Sequence, residues 1–429
     1  MKRVLSLCLV LCCLLCLSAC SAVSDMKDKI SETVQNIGEE NPSSTELANE
    51  QDTTGTEEKS HVIVHVDPVR YEAYDPNTAE TLILTFAYDS ARVLMEDKPA
   101  SAARINEMLG KMDDDFYSGS ADESSGTYGY QDMLSEAEDL YAIYHDSERD
   151  GSELVLASER TIRSIRATDS YLEIDWMYYD YLGGAHGGYA FRTTVFDTET
   201  GEELHLSDLF TEGYDYRSAI LAEMIRLTQE DKDNYYSDHT EFVEPESREE
   251  VYAALLRDGS WCFTDSGLVF TSDLYELCSY AVGLCEFEIP YETFGDSFLA
   301  KYLPNQLPAQ PAVMGLVPAE DGRESGYEII DRAVIHPDGG DLLLTVENCA
   351  CDIRICSVSY LDSFYDQTLL WFADSVHNAA IQLQLHVPQG MPDTMISYSD
   401  SEGEHSLLVQ YEKGNGFSPK NEEEIVAVG

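Results

Sequence analysis

From Tyr171 the chain alternates: Leu172, Ile174, Trp176 and Tyr178 fall on one side, Glu173, Asp175, Met177 and Tyr179 on the other. A period of two in a run this rich in aromatics predicts a half-buried strand. The GGAHGG that follows frames His186 with Gly183, Gly184, Gly187 and Gly188, so the backbone is free to reverse there. A second alternating run, Tyr189 to Phe196, returns toward the tight turn DTETG, and LHLSDLF then leads into a helix.

The same patterning organises the rest of the chain. HVIVHV (61–66) and TLILTFAYDSARVLM (81–95) predict two strands. Lys98-Pro99 opens a helix whose Ile105, Met108, Leu109 and Met112 share a face, and a second helix is predicted near Met133 to His145. ELVLASERTIRSIRA (153–167) reads as a strand, residues 213–230 as a helix, and Arg248 to Leu256 as a short one. WCFTDSGLVFTSD (261–273) predicts a hairpin, EFEIPY a strand stopped at Pro290, and Phe294 to Tyr302 a closing helix. Beyond a proline-rich stretch at 303–318, short alternating runs recur without a convincing helix, and the tail from Lys413 looks irregular.

These elements predict an α+β protein with mixed or antiparallel sheets and packed helices in two subdomains, followed by a small all-β, sandwich-like C-terminal domain. The boundaries fall at 61–150 for the N-terminal α+β subdomain and 151–302 for the second α+β domain. Residues 303–318 then form a linker and 319–429 the β-rich part.

The N-terminus carries an address. Lys2 and Arg3 precede the apolar run LSLCLVLCCLLCL, and Leu17-Ser18-Ala19-Cys20 follows. This resembles a bacterial lipobox, which implies a signal peptide over 1–19, cleavage before Cys20 and lipid on its sulfur. Residues 20–60 then form a lipidated tether. Its Glu-, Thr-, Asn- and Ser-rich composition from Gly38 cannot build a core and gives a reach of roughly 35 Å. The expected location is the outer face of a bacterial cell membrane, lipid-anchored and extracytoplasmic.

Charge narrows the partners. The chain carries a net −55, and loss of Lys2 and Arg3 with the signal takes it to −57. That field disfavours nucleic acid and anionic membrane surfaces and favours cationic partners or metal counter-ions, with simple solubility the plainer reading. Of eleven cysteines, Cys8, Cys12, Cys13 and Cys16 leave with the signal and Cys20 takes lipid. Cys262, Cys278, Cys285, Cys349, Cys351 and Cys356 remain, with their pairing open. The spacing of the last three departs from that of structural zinc sites, no HExxH occurs, and no metal or cofactor is expected.

Candidate chemistry centres on His186. A histidine on a glycine-rich turn beside Tyr178, Tyr179, Tyr181 and Tyr189 forms a candidate binding surface, because tyrosine joins an apolar body to a polar tip. A simpler reading has the imidazole bonding the backbone to fix the reversal. A hydrolase would pair His186 with Glu173 or Asp175, although among 81 acids those two read better as solvated charge. No catalytic residue is assigned.

The run from YLGGAHGGYAFRTTVFDTETGEELHLSDLF through FTDSGLVF to LYELCSYAVGLCEFEIPY resembles a known family. This is the extracellular domain pair of the lysozyme-binding anti-sigma-factors (RsiV-type) and related lipoproteins, which also precedes the catalytic domain of some peptidoglycan deacetylases. Matching positions include Gly183, Gly184, His186, Gly187, Phe196, Gly201, Asp208, Phe210, Gly267, Tyr275, Tyr280, Gly283 and Pro290. The resemblance covers roughly residues 61–300. It implies an α+β fold outside the cytoplasm and binding of a cationic protein such as lysozyme, or of a cell-wall glycan. A lipid-anchored chain lacks the spanning helix an anti-sigma-factor needs, and residues 303–429 lack a deacetylase's acid-rich metal motif. The expected function is therefore a surface-tethered, non-enzymatic binding or sensing lipoprotein. The alternatives are a wall-polysaccharide hydrolase or deacetylase-like enzyme and a structural envelope lipoprotein.

Overall fold

The computed structural model describes residues 62–77, 81–119, 128–146, 154–230, 243–244, 246–304, 313–318, 339–347, 352–361, 367–388, 393–400, 403–412 and 416–419. The signal peptide, Cys20, the tether, His61, Cys349 and Cys351 lie outside them. No helix among the described residues is long and apolar enough to cross a membrane.

Strands β1 (Ile63–Tyr74) and β2 (Leu82–Leu94) pair antiparallel, Val64 opposite Val93 and Val66 opposite Ala91. Those four side chains are buried against helix α1 (Pro99–Ser118), whose Ala102, Ile105 and Leu109 face the sheet. Pro99 fits the first turn because its missing N–H has no helical partner there, and Gly119 closes the helix in the left-handed conformation, φ 68°. Helix α2 (Tyr130–Asp146) covers the other end of β2, where Phe86, Phe116, Tyr130 and Met133 share a second core.

Strand β3 (Leu156–Ala167) runs parallel to β2, but only as far as Tyr88 opposite Arg160. There the two strands part, and side chains take up the freed backbone groups. Ile162 N–H donates to Asp89 Oδ2 at 2.7 Å. Asn106 on α1 accepts from Val93 N–H at 2.7 Å and donates to its carbonyl at 2.9 Å. Buried backbone polar groups demand such partners, so Asp89 and Asn106 make the divergence tolerable.

Strands β4 (Tyr171–Tyr181) and β5 (Gly188–Asp197) extend the sheet from the other edge of β3. Residues 171–176 are buried on both faces. One face, with Leu172, Ile174 and Trp176, joins the first core. The other is covered by helices α3 (Tyr216–Glu230) and α4 (Arg248–Ala254) and by a small antiparallel sheet of β6 (Trp261–Phe263), β7 (Gly267–Thr271) and β8 (Glu286–Pro290). Tyr171 stacks on Phe263 across this junction, ring centroids 4.1 Å apart. The expected helix over Phe294–Tyr302 is instead a series of short 3-10 turns, Tyr291–Thr293, Gly295–Ser297 and Ala300–Tyr302.

The α+β class holds, and the C-terminal part is all strand where it is described: β9 (Val313–Pro318), β10 (Gly339–Glu347), β11 (Asp352–Leu361), β12 (Gln367–His377), β13 (Ala380–Pro388), β14 (Asp393–Asp400), β15 (Gly403–Glu412) and β16 (Gly416–Pro419). β9 occupies part of the predicted linker and β16 part of the supposedly irregular tail. These strands share a sheet with both α+β subdomains: β13 lies parallel to β1 and β12 parallel to β3. The turn between them at Asn378, φ 53°, donates from its amide to Ala167 O at 3.0 Å. Ala373, Val376, Ala379 and Ile381 thereby enter the first core. The sheet curls until β16 lies beside β9 and β10.

Candidate functional site

The reversal between β4 and β5 meets the loop between β7 and β8. Gly183 takes φ +82° at the start of the reversal, a conformation that glycine adopts without penalty. Gly187 is buried beneath the Tyr179 ring, where a Cβ would stand 2.4 Å from a ring carbon. Between them His186 projects outward and is exposed.

Two tyrosines from the second loop receive it. His186 stacks on Tyr280, ring centroids 3.6 Å apart and planes 20° from parallel. Its Nδ1 lies 3.1 Å from Gly187 O, and its Nε2 lies 3.2 Å from the Tyr275 hydroxyl. A carbonyl only accepts, so Nδ1 carries a proton; in the neutral imidazole Nε2 then accepts from Tyr275. Tyr280 donates its own hydroxyl to the same Gly187 carbonyl at 3.0 Å. Tyr189 stands edge-on to Tyr280 with centroids 6.4 Å apart, and Gly283 (φ +91°) passes over its hydroxyl. Tyr275 is 53% exposed and holds φ +65°, a left-handed conformation that L residues rarely take.

Charges beneath the platform fix the second loop to β5. Arg192 forks onto Asp273 at 2.7 and 3.1 Å. Arg257 reaches Asp273 at 2.8 Å and Glu276 at 2.9 and 3.0 Å, while Glu276 accepts from Asp273 N–H at 2.7 Å. Tyr275 is thus held between two carboxylates that are themselves anchored by arginines.

The five residues singled out in the sequence separate here. His186 and Tyr189 belong to the platform, and Tyr179 supports it by packing its ring on Gly187. Tyr181 serves its own turn, donating to Gly184 O at 3.1 Å. Tyr178 points the other way, edge-on to Phe116 at 6.1 Å, and burial pushes its hydroxyl pKa up. Tyr275 and Tyr280 matched the family resemblance but carried no signal placing them beside His186.

Glu173 and Asp175 are not solvated, and neither approaches His186. They are 3% and 1% exposed, because the α3–β8 layer closes over their face of β4. Five residues of strand, about 17 Å, separate Asp175 from Asp180, which is opposite Gly188. Glu173 accepts from Phe263 N–H at 2.7 Å; burial foremost, with the neighbouring Asp175 carboxylate, raises its pKa to about 8 against the pull of Arg166. Asp175 is held by Arg163 Nε at 2.6 Å and Thr193 at 3.2 Å, and burial raises its pKa too. The hydrolase pairing of either acid with His186 does not form. Among the described residues, no three histidine, cysteine or acidic side chains gather as a metal site.

The decisive comparison concerns the second loop and its surroundings. Residues 207–292 match the sequence model of DUF3298, a protein family of unknown function. The DUF3298 segment supplies α3, α4, the small sheet, Tyr275 and Tyr280, whereas His186 and Tyr189 precede it, so the platform sits at its border. Two solved structures of DUF3298 family members are similar to this chain. One, from Bacteroides fragilis, is 17% identical with a TM-score of 0.41, covering 56% of this chain and 95% of its own. The other, from Pseudomonas aeruginosa, is 16% identical with a TM-score of 0.37, covering 56% of this chain and 97% of its own. No curated protein matches the chain.

Proposed function

We propose that this chain is a lipid-anchored, extracytoplasmic binding module, tethered through Cys20, whose contact surface is the His186–Tyr275–Tyr280 platform and whose partner is a cationic extracellular protein. One observation carries the reading: an exposed imidazole stacked on a tyrosine beside a second, half-exposed tyrosine held in a left-handed conformation. Backbone outliers of this kind cluster at active sites and ligand clamps. Tyrosine faces attract lysine and arginine side chains, and rigid aromatic anchors dominate binding surfaces. The net −55 adds long-range attraction for a cationic partner and speeds encounter. The resemblance to lysozyme-binding extracellular domains makes lysozyme the first partner to test.

The test is calorimetric titration of the mature chain with lysozyme at physiological salt, with peptidoglycan fragments as the comparison ligand. We expect saturable lysozyme binding that weakens by roughly tenfold or more in His186→Ala/Tyr280→Ala. Unchanged affinity in that variant moves the contact elsewhere. Binding that disappears with a small salt increase, alike in variant and wild type, reduces it to nonspecific charge attraction. Binding of the glycan fragments alone replaces the protein partner by the wall polymer.

A further inference from the structure

Two cysteines meet at the foot of the platform. Cys278 and Cys285 bracket the loop that carries Tyr280, and their sulfurs stand 3.0 Å apart. Each residue is 1% exposed. The backbone already closes this loop: Val282 N–H donates to Ser279 O at 3.0 Å and Gly283 N–H to Tyr280 O at 3.1 Å. Ser272 and Cys285 add a reciprocal clamp, Ser272 N–H to Cys285 O and Cys285 N–H to Ser272 Oγ, each 2.9 Å. A disulfide needs its sulfurs about 2.05 Å apart, so this pair stands roughly 1 Å from bonding distance. Cys262 is the odd thiol of this region. It sits on β6 beside Glu173 and Asp175, and burial foremost, with their charges, pushes its pKa well up.

We propose that Cys278 and Cys285 form a disulfide that staples the Tyr280 loop. The oxidant is a small-molecule disulfide, R–S–S–R, of the kind present in an oxidising compartment. One cysteine thiolate attacks it, forming a mixed disulfide and expelling RS⁻; the second cysteine thiolate then displaces the other RS⁻. Two protons and two electrons leave the cysteine pair, and R–S–S–R is reduced to two RSH. In the folded molecule both sulfurs are covered, and burial holds the Cys285 thiol far above its ordinary range. The exchange therefore belongs to the folding chain, while the loop is open, and the finished bond is shielded from reductant. A stapled loop holds Tyr280 in place beneath His186 before any partner arrives. That last consequence rests on the proposed binding function; the bond itself does not.

The experiment refolds the full mature chain from denaturant and reductant, with and without oxidised glutathione, and maps peptides under non-reducing conditions. The expected product links Cys278 to Cys285 and leaves Cys262 as a thiol. The oxidised form should melt about 5 °C higher than the reduced one, a difference absent from Cys278→Ser/Cys285→Ser. Folded reduced protein should oxidise at least about 100-fold more slowly than unfolded protein. Two alkylatable thiols at 278 and 285 after oxidative refolding, or a link from either to Cys262, Cys349, Cys351 or Cys356, overturns the proposal. Mapping of the wild type decides this even if the double variant does not fold. If the bond forms and lysozyme binds neither form, the binding function fails and the staple stands.

Discussion

The imidazole of His186 and the hydroxyl of Tyr280 bond the same acceptor, the carbonyl of Gly187, while their rings lie flat on each other. One backbone oxygen thus joins the β4–β5 reversal to the DUF3298 segment.

Gly187→Ala places a methyl against the Tyr179 ring, which must swing outward. We expect a loss of about 1–2 kcal/mol and a weakened near-ultraviolet dichroism signal from the tyrosine cluster. Gly188→Ala is the control, since its Cβ meets nothing within 4 Å. A thermal melt showing equal effects of the two changes contradicts the packing described.

Tyr275→Gly separates stability from recognition. The wild-type residue bears its positive φ with half its side chain in solvent, so relief of strain, about 1 kcal/mol, offsets the greater freedom of glycine when unfolded. The melting temperature should stay within about 2 °C of wild type, while affinity for the cationic partner falls about tenfold. A large fall in melting temperature would show the side chain to be structural.

Glu173 gives stability a pH dependence. Its folded pKa of about 8 lies above the 4.5 of a solvated glutamate. Between those values the folded state keeps a proton that the unfolded chain releases, so this group's contribution falls as pH rises from 4.5 to 8 and is level above. Glu173→Gln retains an acceptor for Phe263 N–H and removes the titration. The variant's stability, followed by its melting temperature, should therefore gain on wild type as pH is raised through this window, by on the order of a few kcal/mol at most. Parallel pH profiles for the two proteins would exclude it.

Arg160 is fully buried and ties α1 to the sheet, donating to Met112 O at 2.8 Å, to Asp89 O at 3.2 Å and to the Asp113 carboxylate. Its guanidinium also lies 4.8 Å from the Trp176 ring centroid. Arg160→Ala strands these acceptors and should cost about 3–5 kcal/mol, seen as a lowered urea midpoint. Because α1 and the platform lie on different cores, partner affinity at a temperature where the variant is folded should be unchanged.

Local order was legible from sequence, and long-range pairing was not. Pro99 and the Ile105–Met112 stripe announced α1 because helix starts and faces are written in neighbouring residues. Alternation likewise found nearly every described strand. It reports only that one face of β4 is apolar, however, so it assigned Glu173 and Asp175 to water. Their burial depends on Phe263 and the small sheet, which arrive about ninety residues later. His186 was visible through its glycines, while its partners Tyr275 and Tyr280 sit in a loop whose destination no local pattern encodes. Alternation marks the C-terminal strands β10 to β15 but not β9 and β16, and it does not show that β12 and β13 complete β3 and β1, since strand register between distant segments leaves no periodic trace.

The parallel pairing of β1 with β13 has a consequence for biogenesis. β1 begins at residue 63 and its neighbour ends at residue 388, so nearly the whole polypeptide must emerge before the first strand acquires its second partner. Until then β1 offers a row of unpaired amides and carbonyls, the template on which chains join edge to edge. Closure over so long a separation is slow. Truncation from β13 onward should therefore show itself first as aggregation of the folding chain, with a holdase chaperone the natural remedy.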